Sequence, residues 1–296
     1  MPDVRNIETS AKHREDAVPI EPLAGPFLVD AHTHIYDCFD KAAFFRGASA
    51  NFQHAARHLG RPSAPIGCLL LTERQDGHYF RQIYDGVDTD NVGGWVFSRT
   101  AEDCSLLAQR HDGSETELLI VAGRQVATRE RLEVLALGTG ETFSDGLALP
   151  MALAAVVESG AVAVLPWGFG KWWFDRGRQI RNALDAGVPG QVFVGDNGGR
   201  PGLIPRPKQF GIAARRGIFD LPGSDPLPFR SEEARAGSFG FILDGAIDRL
   251  RPADGLKKLI RRQSTQPTLY GQQESVQRFV VNQLRIHALK RTRSGR

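Results

Sequence analysis

Hydrophobic and polar positions along this chain change period several times, and each change marks a boundary. From residue 27 onward, short apolar runs are separated by polar loops and by segments with helical spacing. The runs at 27–30, 66–71, 94–97, 117–122 and 132–137 read as strands, the last two as partners in a hairpin. Residues 44–59 read as a helix and 78–84 as a short one. After residue 147 the pattern is more regular: a helix over 147–158 closed by Gly160, a strand at 161–165, a helix over 174–186 closed by Gly187, and a strand at 191–194. A short helix at 208–216, a strand at 238–243 and helices near 253–262 and 273–289 complete the chain.

Helix, glycine, apolar strand and polar loop in repeated order is the pattern of a parallel sheet with crossover helices, and strands apolar throughout are buried on both faces. The pattern predicts a single α/β domain over 26–290, a TIM-like, distorted β/α barrel, with an open doubly wound sheet as the second arrangement. Residues 1–25 carry mixed charge and the prolines Pro19 and Pro22, and read as a disordered or loosely attached arm. Residues 291–296 read as a basic tail.

Composition narrows the class. The chain has 296 residues, 41% hydrophobic and 24% charged, which excludes wholesale disorder and a fibrous repeat. Such a length buries a large core without disulfides, and Cys38, Cys68 and Cys104 form no CxxC pair. With 37 basic and 34 acidic residues the net charge is +3, so charge makes no general case for nucleic acid. Basic residues do crowd the C-terminus, from Lys257 to Arg296, as a solvated helix face or as a site for an anionic partner. No apolar run reaches the ~20 residues of a membrane span, and residues 1–21 lack a signal-peptide core, so a cytoplasmic protein is expected.

The candidate chemistry gathers after the strands, at His32, His34, Lys171, Asp196 and Asp225. In Val29-Asp30-Ala31-His32-Thr33-His34 two histidines sit two apart at a strand end, so both imidazoles point the same way and can reach one metal ion. This motif resembles the opening metal motif of the polymerase-and-histidinol-phosphatase (PHP) and amidohydrolase barrels. The segments 123–128 and 132–138 resemble the paired PHP segment with its metal-binding Glu and His, and Leu221-Pro222-Gly223-Ser224-Asp225-Pro226 resembles the closing Gly-Ser-Asp motif of both families. The resemblance implies a metal-dependent hydrolase in which Asp225 is a ligand or a proton acceptor.

The departures are specific. Gln125 stands where the PHP pattern has Glu, Glu133 where it has His, Trp167 where an Ala-His-Pro motif would fall, and Leu227 in place of a terminal His. What remains is a reduced site of His32, His34 and Asp225, with Glu133 and Asp196 as additions. Two imidazoles and a carboxylate with one open position suit a single zinc, manganese or iron ion, which lowers the pKa of its water to ~7. The alternative is a decayed site on a non-catalytic barrel that binds a phosphorylated or sugar ligand.

Secondary signals point to an anionic small molecule. Gly168-Phe169-Gly170-Lys171 leads from a strand into a helix carrying Arg176 and Arg178, where backbone amides and Lys171 can meet an anion. The loop from Asp196 to Pro201 offers Asp196 and Arg200 as substrate contacts. His54 and His58 have a metal-compatible spacing but read as a solvated stripe.

Overall fold

The computed structural model describes residues 21–60, 65–86, 92–112 and 117–294. Thirteen strands and seven α-helices follow in the order β1 (Leu23–Ala24), β2 (Phe27–Thr33), α1 (Lys41–His58), β3 (Ile66–Leu71), α2 (Tyr79–Asp85), β4 (Trp95–Arg99), β5 (Ser105–Arg110), β6 (Glu117–Val121), β7 (Gly123–Ala127), β8 (Glu133–Leu137), α3 (Leu149–Glu158), β9 (Val162–Pro166), α4 (Phe174–Ala186), β10 (Val192–Gly195), α5 (Lys208–Arg215), β11 (Phe239–Leu243), β12 (Ala246–Ile247), α6 (Pro252–Arg261), β13 (Leu269–Gly271) and α7 (Val276–Ser294).

The expected TIM-like barrel is not formed. The strands lie in separate sheets, none closed on itself: seven strands in the order β13-β11-β2-β3-β6-β5-β4, four in the order β10-β9-β8-β7, and the pair β1-β12. The reason lies between residues 94 and 137. Five strands, β4 to β8, follow one another there with no helix between them among the described residues, and β4-β5-β6 and β7-β8 run antiparallel. A βα barrel needs a crossover helix after every strand. β11 likewise returns antiparallel to β2, while β2-β3-β6 and β9-β10 are parallel. The fold is a mixed α/β sheet fold.

The expected hairpin of 117–122 with 132–137 is also corrected. β8 pairs with β7, a strand absent from the sequence reading, while β6 lies in the other sheet between β3 and β5. At the N-terminus, β1 pairs antiparallel with β12, so ordered structure begins ahead of residue 26. The remainder of the expected arm, residues 1–20, lies outside the described residues. At the other end α7 continues to Ser294, through most of the expected tail.

Helix α1 shows how local sequence serves the sheet. The Asp40 side chain caps it by accepting from the Ala43 amide at 2.8 Å. Phe44, Phe45, Ala48, Phe52 and Ala56 recur at helical spacing and are buried in the larger core. Each such phenylalanine contributes roughly 1.5–3 kcal/mol of burial. Gly67 in β3 permits the contact, since a Cβ there would stand 2.2 Å from the Phe52 ring. A second core, with Leu149, Leu165, Trp172, Ile180 and Phe210, lies around the four-stranded sheet.

One isolated bridge joins the two larger sheets, and two more tie β10 and the residues after it to the 220–223 segment. Glu73 pairs with Arg124, Val194 with Asp220, and Asn197 with Gly223. The Ala31 amide donates to the Pro222 carbonyl at 3.2 Å and the Asp225 amide to the His32 carbonyl at 2.8 Å. The ends of β2, β3, β7 and β10 and the loop 220–225 therefore converge on one place.

Candidate metal centre

Strand β2 slips out of register with β3 between Asp30 and Thr33, and an irregularity of this kind re-aims side chains at a strand end. His32 and His34 there turn their Nε2 atoms toward each other at 3.1 Å. The Asp225 Oδ1 lies 3.5 Å from His32 Nε2 and 3.6 Å from His34 Nε2. Among the described residues this trio is the one group of histidine, cysteine and carboxylate side chains whose ligand atoms converge on a point. For metal–ligand bonds of about 2.0–2.1 Å, a tetrahedral ion separates its ligands by roughly 3.3–3.4 Å. The three observed spacings bracket that value.

Asp225 is held in place from three sides. Its backbone has φ 47°, the left-handed region that few non-glycine residues enter and that recurs at functional sites. Its amide is bonded to His32, and its Oδ2 accepts from Asn197 Nδ2 at 2.9 Å. The same Nδ2 donates to the Trp167 carbonyl at 3.0 Å, and two acceptors around it fix which way the amide points. Oδ1 is thereby left facing the histidines.

Asp30 supports the whole arrangement from beneath. Its carboxylate accepts from the amides of His32 (3.2 Å), Ser224 (2.9 Å) and Gly237 (2.7 Å) and from Ser224 Oγ (2.5 Å). Burial nevertheless outweighs these bonds and pushes its pKa above the ordinary carboxylate range. Gly223 is required for the close approach: a Cβ there would sit 2.1 Å from the His32 nitrogen.

The electrostatics suit a cation. Burial lowers His34 to about 4, with His32 adding to the effect and Asp225 only partly opposing it. Burial alone would raise Asp225, but His32, His34, Lys171 and Arg235 outweigh it and hold the carboxyl below its usual value. A neutral imidazole and an ionised carboxylate are the protonation states a metal needs.

A cavity of about 330 Å³ opens over the trio. Its lining includes His34 and Asp225, the polar side chains Gln125, Asn197, Arg74 and Lys171, and an apolar part from Trp167, Phe169, Phe279, Ile286 and Leu289. The last three come from α7, which forms one side of the chamber.

The other sequence-predicted residues divide. Glu133 and Lys171 both line the cavity, but they pair with each other, and Glu133 is outside the converging trio. Asp196 and Arg200 are buried and bonded to one another, at 2.7 Å between Oδ2 and Nη2, away from the cavity wall. Arg176 donates to the Gly170 carbonyl at 2.9 Å and Arg178 pairs with Asp175, so both serve their own loop and helix. His54 and His58 stack edge to face on the exposed side of helix α1. Gln125, Asn197, Arg74 and Tyr36 enter the site without having been singled out as its residues. Gln125 Oε1 lies 3.3 Å from His32 Nε2, and its only signal in the sequence was that it stands where the PHP pattern has Glu.

No family model and no curated protein matches the chain. Its fold is similar to the crystal structure of PsfC from Pseudomonas syringae PB-5123, with a TM-score of 0.52 and 14% identity over 90% of this chain and 99% of that one. At this identity the likeness is of fold alone. The resemblance to PHP and amidohydrolase barrels is therefore overturned: the motifs are present, but the fold is shared with PsfC rather than with a barrel of either family, and the sheets stay open. Among the described residues no helix is long and apolar enough to cross a membrane.

Proposed function

We propose that this protein is a metal-dependent hydrolase with a mononuclear site, acting on a small anionic molecule. The observation that carries the reading is the His32, His34 and Asp225 triangle, with 3.1, 3.5 and 3.6 Å edges, of which His34 and Asp225 line a cavity of mixed polar and apolar walls. A divalent ion held there would supply Lewis acidity and an activated water at neutral pH. The protein's own groups do the rest. Asn197 keeps Asp225 Oδ2 engaged, so Asp225 acts as a ligand through Oδ1 rather than as a free base. Gln125 stands beside His32 in reach of an incoming water or substrate oxygen. Lys171 supports an anionic substrate, and its pairing with Glu133 holds it at the cavity wall until one arrives.

The test is metal content of purified protein beside a His32→Ala/His34→Ala variant, followed by screens with phosphomonoesters and amides. About one equivalent of zinc, manganese or iron in the wild type, lost in the variant, together with metal-dependent turnover, supports the reading. A protein that takes up no metal after reconstitution at neutral pH sinks it, leaving a pocket that binds an anionic ligand without hydrolysing it.

A further inference from the structure

Beside the metal chamber lies a second cavity of about 300 Å³, and the two share His34, Tyr36, Arg74, Pro228 and Leu289 as lining. Arg74 is the cation at this junction. It lies three residues beyond the end of β3, after Thr72, whose amide bonds to the Thr33 carbonyl, and Glu73, which exchanges backbone bonds with Gly123 and Gln125, so the chain leading to it is tied to β2 and β7. The neighbouring acid does not neutralise it: the Glu73 carboxylate accepts from the Phe80 amide at 2.7 Å and faces Arg124 at 3.4 Å.

The other cations of the inner chamber are engaged by buried or half-buried acids, Lys171 by Glu133 and Arg235 by Glu232 and Glu274. Arg74 differs. Its ion pair runs through Nε to Asp76 at 3.6 Å, and Asp76 is 78% exposed. Such a solvent-exposed pair contributes little and exchanges readily. Arg74 lines both cavities with its side chain half exposed, and a guanidinium so placed is suited to a carboxylate or phosphate.

Resting on the hydrolase reading, we infer that Arg74 is a specificity residue for a second anionic group of the substrate. The substrate class is then a small molecule with two anionic groups, one beside the metal trio and Lys171, the other at Arg74, its remainder extending into the outer chamber. Arg74 binds this group in exchange for Asp76 and takes no part in the bond-breaking step.

Calorimetric titration with succinate, glutarate and adipate, against butyrate, pentanoate and hexanoate, tests the assignment on metal-free and zinc-loaded protein. The expected result is that at least one diacid binds roughly tenfold or more tightly than its monoacid, as one charge-assisted bidentate pair supplies. Arg74→Gln should erase that preference and Arg74→Lys restore part of it. Equal binding of diacids and monoacids, no binding of any, or a preference that survives Arg74→Gln overturns the inference. If zinc does not bind but the Arg74-dependent preference persists, the hydrolase reading fails and the anion subsite stands.

Discussion

Asp30 and Ser224, 194 residues apart in the chain, are joined by two hydrogen bonds: the Ser224 amide donates to Oδ1 at 2.9 Å and its hydroxyl to Oδ2 at 2.5 Å. Through this contact the strand that carries both histidines holds the loop that carries Asp225. The site is thus one unit built from β2 and the 220–225 loop, and its geometry depends on Asp30, which is not part of the cavity lining.

Asp30→Ala should therefore weaken metal binding without touching a ligand. The substitution leaves the buried donors of Ser224 and Gly237 without their acceptor, each costing ~1–3 kcal/mol. A stability loss of at least ~3 kcal/mol in urea denaturation is expected, with zinc affinity reduced at least tenfold in competition with a chelator. A variant that unfolds like wild type and binds zinc equally would show that the loop stands without Asp30.

Helix α7 is latched to the same loop. Buried Glu232 accepts from Arg278 Nη2 at 2.7 Å and Asn282 at 3.4 Å, while Glu274 engages Arg278 at 3.1 Å and Arg235 at 2.8 Å. Arg235 in turn donates to the Ser224 carbonyl at 3.0 Å. Breaking a buried pair from one side costs about 3–5 kcal/mol, so Glu232→Ala should destabilise the protein by that order. Arg278, half exposed, should cost only about 1 kcal/mol when truncated to Ala. Hydrogen exchange should quicken in 276–294 in the Glu232 variant first. Equal effects of the two changes, or unaltered exchange in α7, would remove the latch.

Asp220 gives the fold a pH signature away from the metal trio. Burial pushes its carboxyl from 3.8 up to about 7, with Arg206 opposing and Asp196 reinforcing the shift. Between those values the folded chain keeps a proton that the unfolded chain has released, so stability falls as pH rises through that window and levels off above it. Asp220→Asn should flatten this decline in thermal melts recorded from pH 4 to 8. A decline of the same slope in the variant would assign it to another group.

The histidine pair was legible because strand alternation is local: two residues apart on an extended chain means one face, whatever the sheet. Asp225 was legible through its Gly-Ser-Asp setting, although the family that setting resembles is not this one. Asp196 and Arg200 misled because a charged loop after a strand reads the same whether its charges meet solvent or each other; here they close on one another inside. Gln125 and Glu133 lie on paired strands in a register that aligns Gln125 with Leu135 and Ala127 with Glu133. That register decides that Gln125, not Glu133, reaches His32, and periodicity cannot supply it.

By itself the sequence determined most of the helices and buried strands, the paired imidazoles and the absence of a long apolar span, since each follows from spacing and burial along a few residues. Only the tertiary structure decided that the sheets stay open and mixed, that β6 and β8 belong to different sheets, and that Asn197 and Arg74 join the site. The direction and partner of a strand depend on contacts between residues far apart in the chain. The availability of a charge depends on which opposite charge the fold places against it, as Glu133 against Lys171 and exposed Asp76 against Arg74.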